Sequence, residues 1–172
     1  QVDSPARVHR AAVELEASGA RALVLDLRHN GGGELDAAVR LAEEWLDEDD
    51  PIAVVVDGDG DAMTIHARHA RALDLPLVLV VDGGTASAAE VLTAALKERR
   101  NVRVVGARTF GKGVATGVEP GDDGPTLSRV SLLEVRGPDG SPIHGVGIAV
   151  HVPAVTDVQQ VALDTARELA NG

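Results

Sequence analysis

The chain has 172 residues, of which 44% are hydrophobic and 25% are charged, and this composition predicts one globular domain and excludes wholesale disorder. The net charge of −11 disfavours nucleic-acid phosphates and anionic lipid as partners, and an aromatic content of 1% leaves almost nothing to stack on bases. The absence of cysteine excludes disulfides, thiolate metal sites and a cysteine nucleophile. No apolar run approaches the roughly 18 residues of a membrane span.

The sequence predicts helices and strands that alternate along the first two thirds of the chain. Ser4 and Pro5 begin the first helix, as N-cap and first helical residue, and Gly19 ends it. Further predicted strands lie at 22–27, 52–56, 75–81 and 101–106, and further predicted helices at 35–46, 66–72 and 87–97. Strands at 114–119, 126–136 and 143–152, a turn at 137–140 and a last helix at 156–170 follow. This order indicates a mainly parallel sheet with an antiparallel C-terminal extension.

The first candidate site is the turn DLRHNGGG at residues 26–33, directly after a predicted buried strand. Three successive glycines let backbone N–H groups point into a cavity with no Cβ in the way, as an oxyanion hole or an anion nest requires. A flexible connection between a strand and a helix has the same composition. The turn alone therefore leaves both interpretations open.

The second candidate site is the turn GGTASAAE at residues 83–90, which places Ser87 at the start of a helix. The positive end of the helix dipole favours developing negative charge there, and the Ala88 N–H can help to bind an oxyanion. Ser87 and Glu90 also have the spacing of a capping box, in which Ser87 is only the N-cap. One helix start can hold both a nucleophile and a capping Glu90.

A serine nucleophile needs a base, and histidine is the usual one. Six histidines are spread along the chain, none in a recognisable Ser-His-Asp spacing: His9, His29, His66, His69, His144 and His151. Of these, His29 lies within the glycine turn and is the first candidate if the base is a histidine. His66 and His69 are close enough to share a metal, but no third ligand joins them, so a solvated surface is the preferred interpretation.

Lysine is the other candidate base, because a desolvated lysine can lose its proton whereas arginine cannot. The chain has 14 arginines but only two lysines. Lys97 lies in a charged run that indicates a solvated helix end. Lys112 lies between two glycines beside the only phenylalanine, where Phe110 and the strand 75–81 are expected to provide apolar surroundings. An ordinary loop lysine at a turn remains the alternative.

Taken together, these motifs resemble the carboxyl-terminal processing (tail-specific) proteases of peptidase family S41. The family's DLRxNxGG turn matches residues 26–33, its S/T-A-S-A-S/A-E turn matches 85–90, and its FGKG motif matches 110–113. Ser87 and Lys112 are 25 residues apart, as in the family's serine-lysine dyad. The resemblance extends from about Ser4 over almost the whole chain. It implies an α/β fold of the crotonase/ClpP-like type, with a mainly parallel sheet and flanking helices.

The resemblance implies a serine endopeptidase that cleaves unfolded or carboxyl-terminal protein segments and binds its polypeptide substrate in extended form. The implied roles are nucleophile for Ser87, general base for Lys112, oxyanion-hole N–H donors for Gly32 and Ala88, and support for Thr116 and Glu90. Thr116 stands where many bacterial members have a glutamine that orients the lysine. No metal or other cofactor, no nucleic acid and no coenzyme A is implied, and homo-oligomerisation is left open.

The resemblance also implies that residues 1–172 are a catalytic core and that the native protein is extracytoplasmic: periplasmic, attached to the cell envelope or secreted. The chain starts at Gln1 and has no counterpart of the PDZ domain common in the family, so we expect a processed product or an excised fragment. A non-catalytic binding domain, as in pseudoproteases or retinoid-binding repeats, is an alternative on the same fold. Acyl-CoA chemistry of the crotonase type is a third, which the serine-lysine pair disfavours.

Overall fold

The computed structural model describes residues 4–120 and 127–171, with 116–120 and 127–132 described by their backbone alone. The helices of this part are α1 (Ser4–Ala17), α2 (Leu35–Ala42), α3 (Ala88–Lys97) and α4 (Val158–Leu169). Its strands are β1 (Leu23–Asp26), β2 (Pro51–Asp57), β3 (Ala62–His66), β4 (Leu77–Val81), β5 (Val102–Gly106), β6 (Val114–Pro120), β7 (Leu127–Arg136) and β8 (Val152–Pro153). None of these helices is long and apolar enough to span a membrane.

The strands of the described residues form two four-stranded sheets. One has the order β1-β4-β5-β8 and is parallel throughout, and the other has the order β3-β2-β7-β6 and is antiparallel. The predicted α/β fold, with a parallel sheet, flanking helices and an antiparallel part, is confirmed. The antiparallel part is a complete second sheet, because it also takes β2 and β3 from the middle of the chain.

Strand β4 is the centre of the core, and both of its faces are covered. Its five residues, LVLVV, are all buried. Leu77, Leu79 and Val81 belong to the large cluster that includes α2 and α3, whereas Val78 and Val80 pack with α4. A strand covered on both faces is apolar at every position rather than at alternate positions, which is why the sequence identified it as a continuous apolar run.

The predicted short helix at 66–72 is wrong. Residues 62–66 form β3, which pairs antiparallel with β2, and residues 67–72 are not helical. Distant partners satisfy the backbone groups that a helix would have used. The Ala67 N–H donates to the Asp50 carbonyl at 2.9 Å, the Asp49 N–H donates to the Ala67 carbonyl at 2.9 Å, and the Arg68 N–H donates to the Glu43 carboxylate at 2.9 Å.

The predicted strand at 143–152 is also wrong over most of its length. Only Val152–Pro153 pairs as β8, and residues 144–146 form a turn. Gly145 and Gly147 have φ values of +71° and +69°, which interrupt an extended strand. Two further boundaries differ: α2 ends at Ala42, well before the acidic stretch 47–50, and Thr126 lies outside the described residues.

Candidate active site

Three turns from distant parts of the chain meet at one edge of the parallel sheet. They are the first turn at 26–33, the second or serine turn at 83–90, and the third or lysine turn at 107–113. Strands β1, β4 and β5 are neighbours, so the turns that follow them lie together at their carboxyl ends, where α/β proteins usually bind ligands. The Ala86 N–H donates to the Asn30 carbonyl at 2.9 Å, which joins the first turn to the second. The Phe110 N–H donates to the Thr85 carbonyl at 2.9 Å, which joins the second to the third.

Asp82, at the end of β4, fixes the first turn against the second. Its Oδ1 accepts the backbone N–H of His29 at 3.0 Å and that of Gly84 at 2.9 Å, and its Oδ2 lies 3.1 Å from the His29 Nδ1. Burial raises the pKa of Asp82, but the backbone N–H donors and the nearby His29 outweigh burial and hold this pKa below its usual value. The carboxylate therefore accepts these bonds in its charged form.

Ser87 is the N-cap of α3 and has a strained backbone. Its φ is 58° and its ψ is −126°. Ser87 and Glu90 form the predicted capping box, but an ordinary N-cap residue is extended, with negative φ, so the Ser87 backbone is unusual for a cap. A residue with a Cβ in such a conformation costs about 1–3 kcal/mol, and residues of this kind concentrate at functional sites. A nucleophilic serine on a sharp strand-to-helix turn is a known case.

Gly32 lies directly against the Ser87 turn. Its φ is +93°, and a Cβ added there would be 2.8 Å from the Ser87 Cβ and 2.9 Å from the Ala88 nitrogen, so no side chain fits. In the structure the Gly32 N–H donates to the Asn30 Oδ1 at 3.0 Å. The Ala88 N–H has no acceptor within the described part of the chain. Gly32 and Ala88 are thus brought together beside the serine.

A buried carboxylate connects the serine turn to the lysine turn. Glu90 is fully buried, and its Oε2 accepts the backbone N–H of Ser87 at 2.9 Å and that of Lys112 at 2.7 Å. Its Oε1 accepts the Gly111 N–H at 2.7 Å and the Thr109 hydroxyl at 2.5 Å. We call Glu90 with these four donors the Glu90 clamp. Its bonds involve a charged acceptor, which makes each stronger than a neutral hydrogen bond.

Lys112 is exposed, so the apolar surroundings expected around its side chain are not present. The glycines on either side are tightly packed. A Cβ added to Gly113 would lie 2.6 Å from the His144 nitrogen, and Gly111 has a φ of +89°. The backbone of the FGKG motif, residues 110–113, thus packs against the turn at 143–147, and the Lys112 side chain is exposed to solvent. Thr116 lies in β6, in the segment that is described by its backbone alone.

A cavity of about 420 Å³ opens beside the serine turn. Its lining includes both Gly32 and Ala88, and apolar side chains from α2 and α3, among them Leu41 and Leu92. Ligand sites commonly combine such an apolar lining with a few backbone N–H groups. The cavity therefore provides room for a substrate side chain next to the two N–H groups.

The histidines do not form an alternative centre. His9 bonds to Glu44 at 2.8 Å, far along the chain from the serine turn. His151 accepts a backbone N–H of β5 through its Nδ1, and burial lowers its pKa. In residues 4–120 and 127–171 no three potential ligands are grouped to hold a metal ion. His29 lies within the first of the three turns and is paired with Asp82, and the backbone of His144 packs against Gly113 of the third turn.

The sequence reasoning missed two buried threonines that support the site. The Thr85 hydroxyl donates to the Leu27 carbonyl at 2.8 Å, and the Thr109 hydroxyl belongs to the Glu90 clamp. Thr109 also accepts the Ile148 N–H at 2.7 Å. Their positions in the sequence could have indicated this role. Each threonine lies a few residues after a strand of the parallel sheet, where its hydroxyl can bond to backbone N–H and C=O groups of the turn.

Comparisons with known proteins place these motifs in a family. The family model described as peptidase family S41 matches residues 1–154. The carboxy-terminal processing protease CtpA of Bacillus subtilis is 37% identical over 140 residues, which cover 81% of this chain and 30% of that protein. The carboxyl-terminal-processing protease of a Synechocystis species is 38% identical over 135 residues, 78% of this chain and 31% of that protein. The chain therefore spans about 30% of these relatives.

Solved structures give the same result for the fold. The photosystem II D1 C-terminal processing protease superposes with a TM-score of 0.78 at 32% identity, covering 99% of this chain and 44% of that one. A lipoprotein from Streptococcus agalactiae superposes with a TM-score of 0.73 at 19% identity, covering 98% of this chain and 62% of that one, and shows the fold alone.

Proposed function

The chain belongs to peptidase family S41, and we propose that it is the catalytic core of a serine endopeptidase that cleaves unfolded or carboxyl-terminal protein segments. The observation that carries the proposal is the strained backbone of Ser87, joined through the Glu90 clamp to the backbone of Lys112. A plain capping serine needs neither the strain nor the connection to a lysine. A nucleophile needs an exposed hydroxyl and a base held at a fixed position.

In the proposed reaction the neutral Lys112 amine removes the proton of the Ser87 hydroxyl, and the oxygen attacks the peptide carbonyl. The N–H groups of Ala88 and Gly32 stabilise the tetrahedral oxyanion. Because the Gly32 N–H donates to Asn30 in the free chain, it shares or exchanges this acceptor when the oxyanion forms. Protonated Lys112 then donates to the leaving amine. Water, deprotonated by Lys112, hydrolyses the acyl-enzyme and restores the serine.

Because Lys112 is exposed, the substrate itself is proposed to desolvate the amine. An amine in water stays protonated at neutral pH, whereas removal from water favours its neutral form. We propose that the bound polypeptide covers the Lys112 amine and so supplies the desolvation that the free chain lacks. The base then becomes active only when the site is filled.

The substrate is proposed to bind in extended form, adding a strand to the protein. Strand β6 starts at Val114, two residues after Lys112, and lies at an edge of the antiparallel sheet. Its outer backbone groups suit pairing with an extended peptide. On family resemblance we also propose an extracytoplasmic location. The proposed reaction uses only residues of this chain and water. It has no step that involves a metal, coenzyme A or another cofactor.

The experiment that tests the function is digestion of casein, an unstructured protein, by this chain and by its Ser87→Ala variant. We expect cleavage by the wild type and none by the variant, with products identified by mass spectrometry. Cleavage that persists in Ser87→Ala refutes Ser87 as the nucleophile. If the wild type leaves casein intact but binds it, the alternative of a non-catalytic binding domain takes its place.

A further inference from the structure

The segment that carries Lys112 displays alternate residues to solvent. Its backbone runs from the end of β5 to the start of β6 and passes the serine turn. Exposed and buried residues alternate from 108 to 113. Arg108, Phe110 and Lys112 are exposed, and the residue after each of them, Thr109, Gly111 or Gly113, is buried. The exposed row therefore consists of two cations with an aromatic ring between them, and it ends at the proposed base.

Phe110 is exposed although its backbone is fixed. Its side chain is 67% exposed, whereas the chain's other aromatic residue, Trp45, is 2% exposed. The Phe110 N–H donates to the Thr85 carbonyl, and the next two N–H groups, of Gly111 and Lys112, both donate to Glu90. A mobile loop does not explain this exposure. A large apolar side chain held out from a fixed backbone is typical of a contact residue.

A second exposed apolar residue belongs to the same surface. Val146 is 48% exposed and lies in the turn that packs against Gly111, where an added Cβ would be 3.1 Å from the Val146 nitrogen. The Arg108 guanidinium donates to the Val146 carbonyl at 3.2 Å and holds this turn in place. We call Phe110 and Val146 the apolar ledge.

We propose that the apolar ledge binds an apolar side chain of the substrate's leaving segment, within the first two residues after the scissile bond. The inference rests on the proposed function, because the dyad defines the two sides of the site. The N–H groups that hold the acyl carbonyl belong to Gly32 and Ala88, beside the 420 Å³ cavity. Lys112 donates its proton to the leaving amine, and Phe110 is two residues from it. The apolar ledge therefore lies on the side of the site that binds the substrate residues after the scissile bond.

The charges around the ledge define the substrate class more closely. Arg108, two residues before Phe110, keeps its positive charge, so a basic substrate residue at this position would be repelled, whereas an aliphatic residue would gain apolar contact. An aliphatic side chain there also excludes water from the neighbouring Lys112 amine. The preferred substrate thus has an aliphatic residue directly after the scissile bond or one position further on, and no lysine or arginine there.

The first test compares cleavage sites. Casein is digested by the wild type, Phe110→Ala, Phe110→Leu and Met63→Ala, and the cut bonds are mapped by mass spectrometry. Met63 is the matched control because it is 66% exposed and lies on β3, at the other edge of the antiparallel sheet from β6. We expect aliphatic residues to be enriched after the cut in the wild type, Met63→Ala and Phe110→Leu, and not in Phe110→Ala. Unchanged sites in Phe110→Ala refute the ledge.

The second test needs no catalysis and separates the two proposals. Fluorescent casein is titrated with Ser87→Ala, alone and combined with Phe110→Ala or with Met63→Ala, and melting curves confirm that each variant is folded. We expect Phe110→Ala to weaken binding about fivefold to tenfold, as loss of one apolar contact predicts, and Met63→Ala to leave it unchanged. Equal affinities overturn the ledge even if cleavage occurs. Weaker binding without any cleavage by the wild type refutes the peptidase and retains the ledge as a polypeptide contact.

Discussion

Two carboxylates at opposite ends of the parallel sheet each gather distant segments of the chain, but they do so with different donors. At the carboxyl end, Glu90 is fully buried and accepts three backbone N–H groups and one hydroxyl. At the amino end, Asp47 is 54% exposed and binds the guanidinium groups of Arg71 at 3.2 Å and Arg99 at 3.1 Å. Fixed donors surround the first carboxylate, and long flexible side chains surround the second.

Burial and the kind of donor decide how strongly a carboxylate fixes the segments around it. An exposed ion pair contributes about 0–1 kcal/mol, because water screens it and two flexible side chains lose freedom. A buried carboxylate with several donors is costly to disturb, since each unsatisfied donor costs about 1–3 kcal/mol. The chain thus has exposed Arg–Asp pairs around Asp47, and a buried glutamate between the turns that carry the proposed nucleophile and the proposed base.

The largest loss of activity is expected at Lys112. This lysine lies at the carboxyl end of the parallel sheet, whereas Lys97 lies at the end of α3. Lys112→Arg keeps the charge but cannot accept a proton, and Lys112→Ala removes the base. Both should lower casein turnover by about 10²–10⁴, with melting temperatures near the wild-type value. Lys97→Arg, at the other lysine, should leave both unchanged. Full turnover by Lys112→Arg would exclude the dyad and make His29 the first candidate base.

A slightly smaller loss of turnover is expected from a methyl group beside the proposed oxyanion hole. Gly32→Ala places a Cβ 2.8 Å from that of Ser87, so one of the two turns must move away. We expect turnover to fall by about 10²–10³, as for loss of one oxyanion donor. Gly60→Ala is the control, since Gly60 has nearly the same φ, +90°, but no atom within 4 Å of its added Cβ. Equal turnover in the two variants would refute the assignment of Gly32.

The comparison of the two carboxylates is tested directly by Glu90→Gln and Asp47→Asn. Gln offers one acceptor oxygen to four donors, so we expect Glu90→Gln to lower the free energy of unfolding by about 2–4 kcal/mol. Asp47→Asn should lower it by less than about 1 kcal/mol. Both are measured by urea denaturation at neutral pH. If Asp47→Asn costs as much as Glu90→Gln, burial is not what distinguishes the two carboxylates.

Much of the candidate site could be located from the sequence, because its parts are local turns after apolar strands. The sequence motifs identified Gly32, Ser87 and Lys112 as candidates. In the structure Gly32 packs against Ser87, and Glu90 connects the Ser87 and Lys112 backbones. What the sequence could not supply is distant in the chain. Glu90 looks like a local capping residue until the donors 19–22 residues later are known. The exposure of Lys112 could not be predicted either, because it follows from glycine packing against the turn at 143–147.

A small change in stability decides whether the Ser87 backbone is that of an ordinary N-cap or is strained, because the two cases predict opposite signs. At an ordinary N-cap, Ser→Gly costs a few tenths of a kcal/mol. At a φ of 58° and a ψ of −126°, glycine relieves about 1–3 kcal/mol of strain and loses about 0.5–1 kcal/mol through greater freedom of the unfolded chain. We therefore expect Ser87→Gly to be more stable than the wild type by about 1 kcal/mol, which raises the melting temperature by about 2–4 °C.

Ser87→Ala is the control for this prediction, because alanine removes the same hydroxyl but keeps the Cβ and its strain. It should melt near the wild-type temperature and below Ser87→Gly, and both variants should be inactive on casein. Differential scanning calorimetry of the three proteins at equal concentration measures the order. A Ser87→Gly variant that melts below the wild type would identify Ser87 as an ordinary helix cap. The order Gly above Ser instead means that the chain gives up stability to hold a hydroxyl at this position, which a structural cap has no reason to do.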